Sequence, residues 1–405
     1  MNAVGIDISK GKSMVAVARP LGEIVSKPFE VHHTTDGIAS LVAYLHTLSG
    51  DTRIVMEHTG RYYEPMARQL AKSNFFVSAV NPKLIKDYGN NSLRKVKTDK
   101  ADALKIARYA IDNWQNLCQY TSMDTLRNQL KICNQHFAFY TKQKIAAKNN
   151  LIALLDMTYP GVNTLFASPA REDGSQKWVD FAASFWHVDC VRSIEMADFT
   201  ERYRKWCKRH GYNFQPHKPQ EIFCAAKNLI AVFPKDAISK TLVMQAISGL
   251  HAISKTVEQL RKQMNQLASQ LPEYPVVMAM YGVGESLGPQ LIAEIGDISR
   301  FHRRENLTAF AGVDPGANQS GTYQAQSVRT SKHGSPRLRK TLFQIMNCLV
   351  QIKPQDDAVY RFIDKKRAEG KPYFVYMTAG ANKFLRIYYG KVKQYLSENP
   401  GNMLP

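Results

Sequence analysis

Cysteine is sparse in this 405-residue chain, acidic side chains are outnumbered by basic ones, and long apolar runs are missing. Its six cysteines (Cys118, Cys133, Cys190, Cys207, Cys224, Cys348) are scattered with no C-x-x-C pair, which argues against a disulfide framework and against a structural zinc site. Free thiols in a reducing compartment are the expectation. No apolar stretch approaches the ~20 residues that span a bilayer, and the N-terminus lacks the charged-then-apolar layout of a signal peptide, so a cytoplasmic protein without a membrane partner is expected. The shortage of acid is the most informative: 34 Asp and Glu stand against 54 Lys and Arg, a formal charge of +20. That balance suits a protein making many phosphate contacts and makes nucleic acid the leading partner class. A merely solvated basic face is the plain alternative.

Length favours two or three folding units. Residues 1–120 alternate strands with helices, as an α/β domain does. Three strands, "VGID", "SMVAVA" and "EIVSKPFEV", come first and are joined by turns short enough for antiparallel neighbours. A helix, "DGIASLVAYLHTL" with Asp36 as its expected N-cap, leads to the strand "RIVMEH", the helix "YYEPMARQLAKS", the strand "FFVSAVNP" and a helix opening near Thr98. Three strands followed by crossovers is the ribonuclease-H order.

Residues 121–272 change period. Leu126, Leu130, Cys133, Phe137, Tyr140, Lys144, Ala147, Leu151 and Leu154 form one seam of threes and fours. A second runs from Val243 through Leu250, Val257 and Met264 to Leu271. Either the buried stripe of a bundle or an oligomeric coiled coil fits, and two seams favour an antiparallel hairpin or an assembly stalk. Between them, about 159–234, lies an aromatic and basic insert that suits base stacking or an ordinary helical core. Residues 273–405 form a third, mainly helical unit. It opens on "YGVGESLGPQLIAEIGD", where Gly282 and Gly284 sit at a turn between two helical stretches. A helix-hairpin-helix holding a DNA phosphate on backbone N–H groups has this layout, and so does a plain helical turn.

Acids are few, so their positions matter. Asp7 ends the first strand and Glu57 ends "RIVMEH", which in a ribonuclease-H-like sheet sets them side by side. In "VKTDKADALKIARYA", Thr98 is a good N-cap, and Asp99 and Asp102 share the first helical turn. Acids in that turn are favoured by the helix dipole whatever their function. Taken with Asp7 and Glu57, they make a four-carboxylate cluster whose mutual repulsion divalent cations would relieve. An all-oxygen set favours Mg²⁺, or Mn²⁺, over zinc, and two such ions can serve an in-line phosphoryl transfer. An actin-like sugar kinase also places an aspartate after its first strand, but the second aspartate motif and the Gly-rich adenosine loop are missing.

In "FAGVDPGANQSGTYQAQSVRTSKHGSPRLRKTLFQ", a Pro-Gly turn leads to Ser320 and then to the basic residues Arg329, Lys332 and His333. Ser335 and Pro336 read as N-cap and first position of a helix whose opening turns carry Arg337, Arg339 and Lys340. A serine beside glycine is ordinarily a turn residue. Amid these cations it is also a candidate nucleophile on a phosphodiester.

Together "GIDISK", "MEHTG", "KTDKADA", "YGVGESLGPQLIAEIGDISRF", "AFAGVDPGANQSGT" and "SKHGSPRLRK" resemble the IS110 family of transposases, the DEDD recombinases related to Piv invertases. The resemblance runs over nearly the whole chain and implies a RuvC-like N-terminal domain, a coiled-coil region and a C-terminal transposase domain. It implies that Asp7, Glu57, Asp99 and Asp102 bind metal and that Ser320 is the nucleophile. It also implies an insertion-sequence recombinase acting on donor and target DNA, assembled as a homotetramer, guided by a structured RNA of its own element and nucleoid-associated when bound. Two other readings stand beside it: a junction-resolving nuclease that uses water as nucleophile, and a non-catalytic RNA-binding scaffold.

Overall fold

The strand "NAVGIDI" alternates Val4 and Ile6 on one side with Ala3 and Gly5 on the other, the period of a strand with both faces covered. The structure, a computed structural model, describes residues 1–58, 60, 62–88, 98–120, 124–315, 319–320, 323–324, 330 and 332–399. The chain divides into two compact units, Met1–Ser122 and Met123–Pro405.

In the first unit the elements are β1 (Asn2–Ile8), β2 (Lys12–Ala18), β3 (Ile24–His32), α1 (Thr35–His46), β4 (Thr52–Glu57), α2 (Tyr63–Lys72), β5 (Phe76–Val80), α3 (Pro82–Tyr88) and α4 (Asp99–Asp112). The sheet order is β3-β2-β1-β4-β5. The first three strands are antiparallel neighbours, and β4 and β5 run parallel to β1. This is the ribonuclease-H-like order expected from the three leading strands. Val4, Ile6, Ile54 and Met56 pack with Leu41, Leu45 and Leu70 of α1 and α2. On the opposite face Ala3 and Val55 pack with Ile106 and Ala110 of α4. One expectation is corrected: the N-cap of α1 is Thr34, whose Oγ1 accepts from the Gly37 amide at 3.1 Å, and Asp36 lies inside the first turn.

The second unit begins with α5 (Thr125–Thr158). Four shorter helices follow: α6 (Lys177–Ser184), α7 (Asp189–Arg192), α8 (Met196–Arg209) and α9 (Lys218–Lys227). Then come α10 (Ala237–Ala268), α11 (Tyr274–Met278), α12 (Leu287–Ile295), α13 (Arg304–Ala311), the short strands β6 (Gln319–Ser320) and β7 (Tyr323–Gln324), α14 (Pro336–Ile352), α15 (Ala358–Ala368) and α16 (Tyr373–Glu398). Leu130 of α5 shares a core with Met264 and Ala268, whereas Leu151 and Leu155 share another with Val243 and Leu250. The two long helices therefore run antiparallel, the hairpin form of the paired seams. Midway along α5, Tyr140, Lys144 and Ala147 are only half-buried, as a two-helix seam leaves them. No helix among the described residues is long and apolar enough to cross a membrane.

Burial decides between the two readings of the aromatic insert. Trp178, Phe181, Phe199, Tyr203 and Trp206 are all buried, and Phe181 meets Trp206 edge-on at 5.5 Å while Tyr203 stacks on Trp206 at 5.4 Å. Rings occupied with one another inside a core are not open to nucleobases.

The long hairpin joins the C-terminal helices through a buried ion pair. Arg127 at the start of α5 donates to both carboxylate oxygens of Glu273 at 2.6 Å, and to Asp124 at 2.9 Å. Glu273→Ala leaves a buried guanidinium without its main partner, and a loss of about 3–5 kcal/mol in unfolding free energy is expected. Urea unfolding followed by far-UV circular dichroism measures it.

Candidate active site

The position of Asp7 follows from Gly5, two residues before it on the same face of β1. A Cβ on Gly5 would overlap the Ala103 carbonyl oxygen and the Ala107 amide and would stand 2.9 Å from the Ala107 Cα. Helix α4 thus lies directly on the sheet at this point. Its Ile106 and Ala110 pack near Ala3, and Ala103 and Ala107 lie over Gly5, so it runs antiparallel to β1 and brings its first turn over Asp7. That turn carries Asp99 and Asp102, capped by Thr98 Oγ1, which accepts from the Ala101 amide at 3.2 Å. Gly5→Ala is expected to lift α4, costing about 1–3 kcal/mol; a lower urea midpoint would show it.

Register brings the fourth acid to the same edge. Ile6 pairs with Met56 in the parallel β1–β4 ladder, so Asp7 and Glu57, one residue further along each strand, lie side by side. Glu57 shares its face with Val55, which packs on the α4 side. Asp7 and Glu57 therefore share the C-terminal edge of β1 and β4, and the α4 turn that carries Asp99 and Asp102 lies over Asp7.

Electrostatics register that crowding. Burial, reinforced by the nearby Asp102 and Asp99 carboxylates, pushes the Asp7 pKa up to about 6. At the same edge Lys12 of β2 donates to Glu30 at 2.7 Å, and that bond, with a smaller contribution from Asp99, raises its pKa. Among the described residues no group of three or more His, Cys, Asp or Glu side chains is gathered as a ready-made metal cage. In donor chemistry the four acids still fit a hard divalent cation: all are oxygen ligands, and Asp7 has two carboxylates raising its pKa.

A pH-dependence follows for the divalent-free protein. A carboxyl whose folded pKa lies above its unfolded value of 3.8 favours folding when protonated, and that advantage is lost as pH rises from about 4 through about 6. Asp7→Asn removes the titration. It is expected to raise the melting temperature above pH 6.5 by roughly 2–4 °C, after discounting for partial solvent screening, and to leave it unchanged near pH 4. Thermal melts in EDTA at both pH values measure this.

The remaining predicted residues lie in the second unit. Ser320 ends β6 and pairs with Tyr323 of β7; Arg329 lies outside the described residues. The stems of this segment are fixed by close backbone approach. A Cβ on Gly334 would overlap the Phe310 carbonyl, and the Ser335 amide donates to that carbonyl at 2.8 Å. Ser335 caps α14 as expected, accepting from the Leu338 amide at 3.2 Å, and its hydroxyl also donates to the buried Glu294 at 3.0 Å. Arg339 donates to the Ala311 carbonyl at 2.9 Å, which gives this predicted phosphate ligand a part in holding the stems. Lys332, His333, Arg337 and Lys340 are exposed. Gly282 has a packing reason of its own: its φ of +76° and its approach to the Ile345 carbonyl, where a Cβ would stand at 3.0 Å, both require glycine. Gly284 is open, with nothing within 4 Å of a Cβ placed there.

The sequence reading missed an open cleft of about 1750 Å³ walled by α13, α14, α15 and α16. Pro315 and Thr330, bridged to each other at the stem of the serine segment, lie on its wall with Lys332, Arg339 and Lys340. The missed signal was the aromatic run "PYFVY" at the start of α16.

Comparison with known proteins decides the family. A family model for the DEDD transposases of IS110, described as "Transposase", matches residues 4–160. A second, described as "Transposase IS116/IS110/IS902 family", matches residues 274–361. The chain belongs to the IS110 family of transposases. Both halves of the resemblance are thereby accounted for: the first match contains Asp7, Glu57, Asp99 and Asp102, and the second contains Ser320. This IS110-family chain is also similar to the pilin gene-inverting proteins of Moraxella bovis and Moraxella lacunata. Each is 23% identical over 349 residues, covering 86% of this chain and 82% of the relative. A solved structure titled "T. thermophilus RuvC in complex with Holliday junction substrate" aligns with 29% of this chain and 96% of its own, at 13% identity and a TM-score of 0.23. At that score the alignment adds nothing to the strand order, on which the fold assignment rests.

Proposed function

We propose that the chain is a DNA recombinase of an insertion sequence, excising and inserting its element by strand exchange through a phosphoserine at Ser320. The observation that supports this reading is the placement of Asp7 beside Glu57 at one sheet edge and beneath the Asp99–Asp102 turn of α4, where burial and those two carboxylates raise the Asp7 pKa to about 6, in a family named for transposition. These four residues would hold Mg²⁺ or Mn²⁺, which when bound supplies charge neutralisation and Lewis acidity at a phosphate. The side chains keep the site acidic and oxygen-rich, and α4 anchors two of them by its contact with Gly5.

Ser320 Oγ attacks phosphorus, forming the O–P bond as the bond to the leaving strand oxygen breaks, and the serine proton passes to that oxygen. A new strand hydroxyl then attacks the phosphoserine and restores the serine. The phosphodiester energy is conserved, so no nucleotide triphosphate is consumed. Lys332, His333, Arg337, Arg339, Lys340 and Arg329 supply phosphate contacts on either side. In this reading Gly284, in a helix-hairpin-helix-like turn, presents backbone to DNA, and Gly282 shapes that turn. The homotetramer and the element-encoded guide RNA enter through family resemblance, to which the charge of +20 is favourable.

Incubating the protein with a plasmid carrying the element tests the reading. Rejoined products that require Mg²⁺ and no ATP are expected. Open ends with no rejoining would point instead to the junction-resolving nuclease, and salt-sensitive binding without strand chemistry to the scaffold.

A further inference from the structure

The cleft beside the serine segment has a construction of its own. Its volume of about 1750 Å³ exceeds the ~300–1,000 Å³ usual for a small-molecule site, which suits a polymer. One wall is aromatic: Phe374 is 72% exposed at the start of α16, with Phe343 6.5 Å away, ring centre to ring centre. Tyr373 meets Phe374 edge-on at 5.2 Å and is itself anchored, donating through its hydroxyl to Asn347 at 2.8 Å. A large ring so exposed and braced from behind is a platform with an open face.

The cations form a track across it. Lys340 of α14 and Lys383 of α16 face the cleft and have no ion-pair partner among the described residues; Lys383 Nζ sits 4.7 Å from the Phe362 ring centre. Phe362 and Lys383 also border an adjoining hollow of about 350 Å³ that Arg361 and Lys365 line. The track therefore continues past the aromatic wall. Two acids, Glu305 and Asp314, line the cleft; Glu305 is paired with Arg304 at 2.9 Å and Arg386 at 3.0 Å, so its charge is offset locally.

We infer that this cleft holds an unpaired stretch of a DNA strand, with a base stacked on Phe374 and the backbone running along Lys340, Lys383 and Arg361. Exposed rings interleaved with cations are what a single strand offers partners for, because an unpaired base presents its flat face and a duplex does not. The assignment to DNA rests on the proposed strand exchange at Ser320, since Pro315 and Thr330, the stem of that segment, border the same cleft. The cleft gives the exchange reaction a place to hold a strand end apart from its complement.

The test measures equilibrium binding of the full-length protein, in EDTA, to a fluorescein-labelled 12-nucleotide DNA, to the same sequence as a duplex, and to the same sequence as RNA. Phe374→Ala is expected to weaken single-stranded DNA binding by about 5- to 150-fold, with duplex binding unchanged, and Phe374→Trp to restore it. A 2-aminopurine in the oligonucleotide should lose fluorescence on binding to the parent protein and keep it with Phe374→Ala. Replacing Lys340 and Lys383 by glutamine should reduce the log–log salt slope by about 0.7 each. Equal binding by Phe374→Ala and the parent, or equal weakening toward duplex and single strand, would overturn the inference. A Phe374 effect seen with RNA and not with DNA would overturn the assignment to DNA. Because binding is read without divalent cation, failure of strand exchange in its own assay would count against the catalytic reading and leave this one standing.

Discussion

Asp102→Asn lowers Mg²⁺-dependent strand cutting by roughly 10²–10³-fold, the expected loss when one charged group is removed from a site that stabilises phosphoryl transfer. The substitution is nearly isosteric and lies on the half-buried first turn of α4, so the fold is retained and the α4 cap at Thr98 is untouched. A second readout belongs to the same change. Asp102 is the larger of the two carboxylate influences on Asp7, so in divalent-free Asp102→Asn the Asp7 titration moves down from about 6 toward 3.8. Carboxyl-carbon NMR reads that shift without any reaction. Undiminished cutting with an unmoved Asp7 would mean that Asp99 and Asp102 are no more than surface charges on a helix end.

Ser320→Ala has the larger expected effect on exchange. Removing a nucleophile from a site built around it costs on the order of 10⁴–10⁶-fold in rate, so rejoined product should fall to background while binding of DNA and melting temperature stay as in the parent. Ser320 lies in a two-residue strand, where alanine is tolerated. Cysteine at this position offers a further discrimination: a softer nucleophile of similar size is expected to recover little exchange, because phosphorus is a hard centre. Cutting by Ser320→Ala at the parent rate would assign the attack to water and make the protein a hydrolytic nuclease.

The N-terminal site was legible because each of its determinants is local. Alternation in "NAVGIDI" and "TRIVME" gives the strands, short turns give the antiparallel order, and Thr98 followed by acids at the first turn gives the start of α4. What periodicity did not carry was the reason the pieces meet: the missing side chain of Gly5, which is a contact between residues about 100 positions apart. The α1 cap was misplaced by two residues for a related cause, since Thr34 and Asp36 are both good capping residues and only the backbone path chooses between them. Two readings stayed open until burial was known. The aromatic insert has the composition of a stacking surface, and its rings are enclosed by α5 and α10. The run "PYFVY" has nothing unusual in its spacing and prompted no reading; its Phe374 remains exposed because α16 starts at the lip of a cleft built by three other helices.

Gly282 and Arg339 show how a single residue can carry two explanations. Both were singled out for DNA contact, and both have structural work in the second unit: Gly282 against α14, and Arg339 on the carbonyl of Ala311. Their substitution is therefore expected to lower stability along with DNA affinity. Lys340, exposed on α14, is the cleaner probe of phosphate contact, and a change in salt slope without a change in melting temperature is expected for it.

The most direct test of the account is to trap the protein on a nicked oligonucleotide whose cleaved strand end diffuses away, digest the adduct and map the modified peptide by mass spectrometry. The account predicts a nucleotide-bearing phosphoserine at Ser320, dependent on Mg²⁺, strongly reduced in Asp102→Asn and absent in Ser320→Ala. An adduct on any other residue, or cut DNA with no adduct at all, would contradict it.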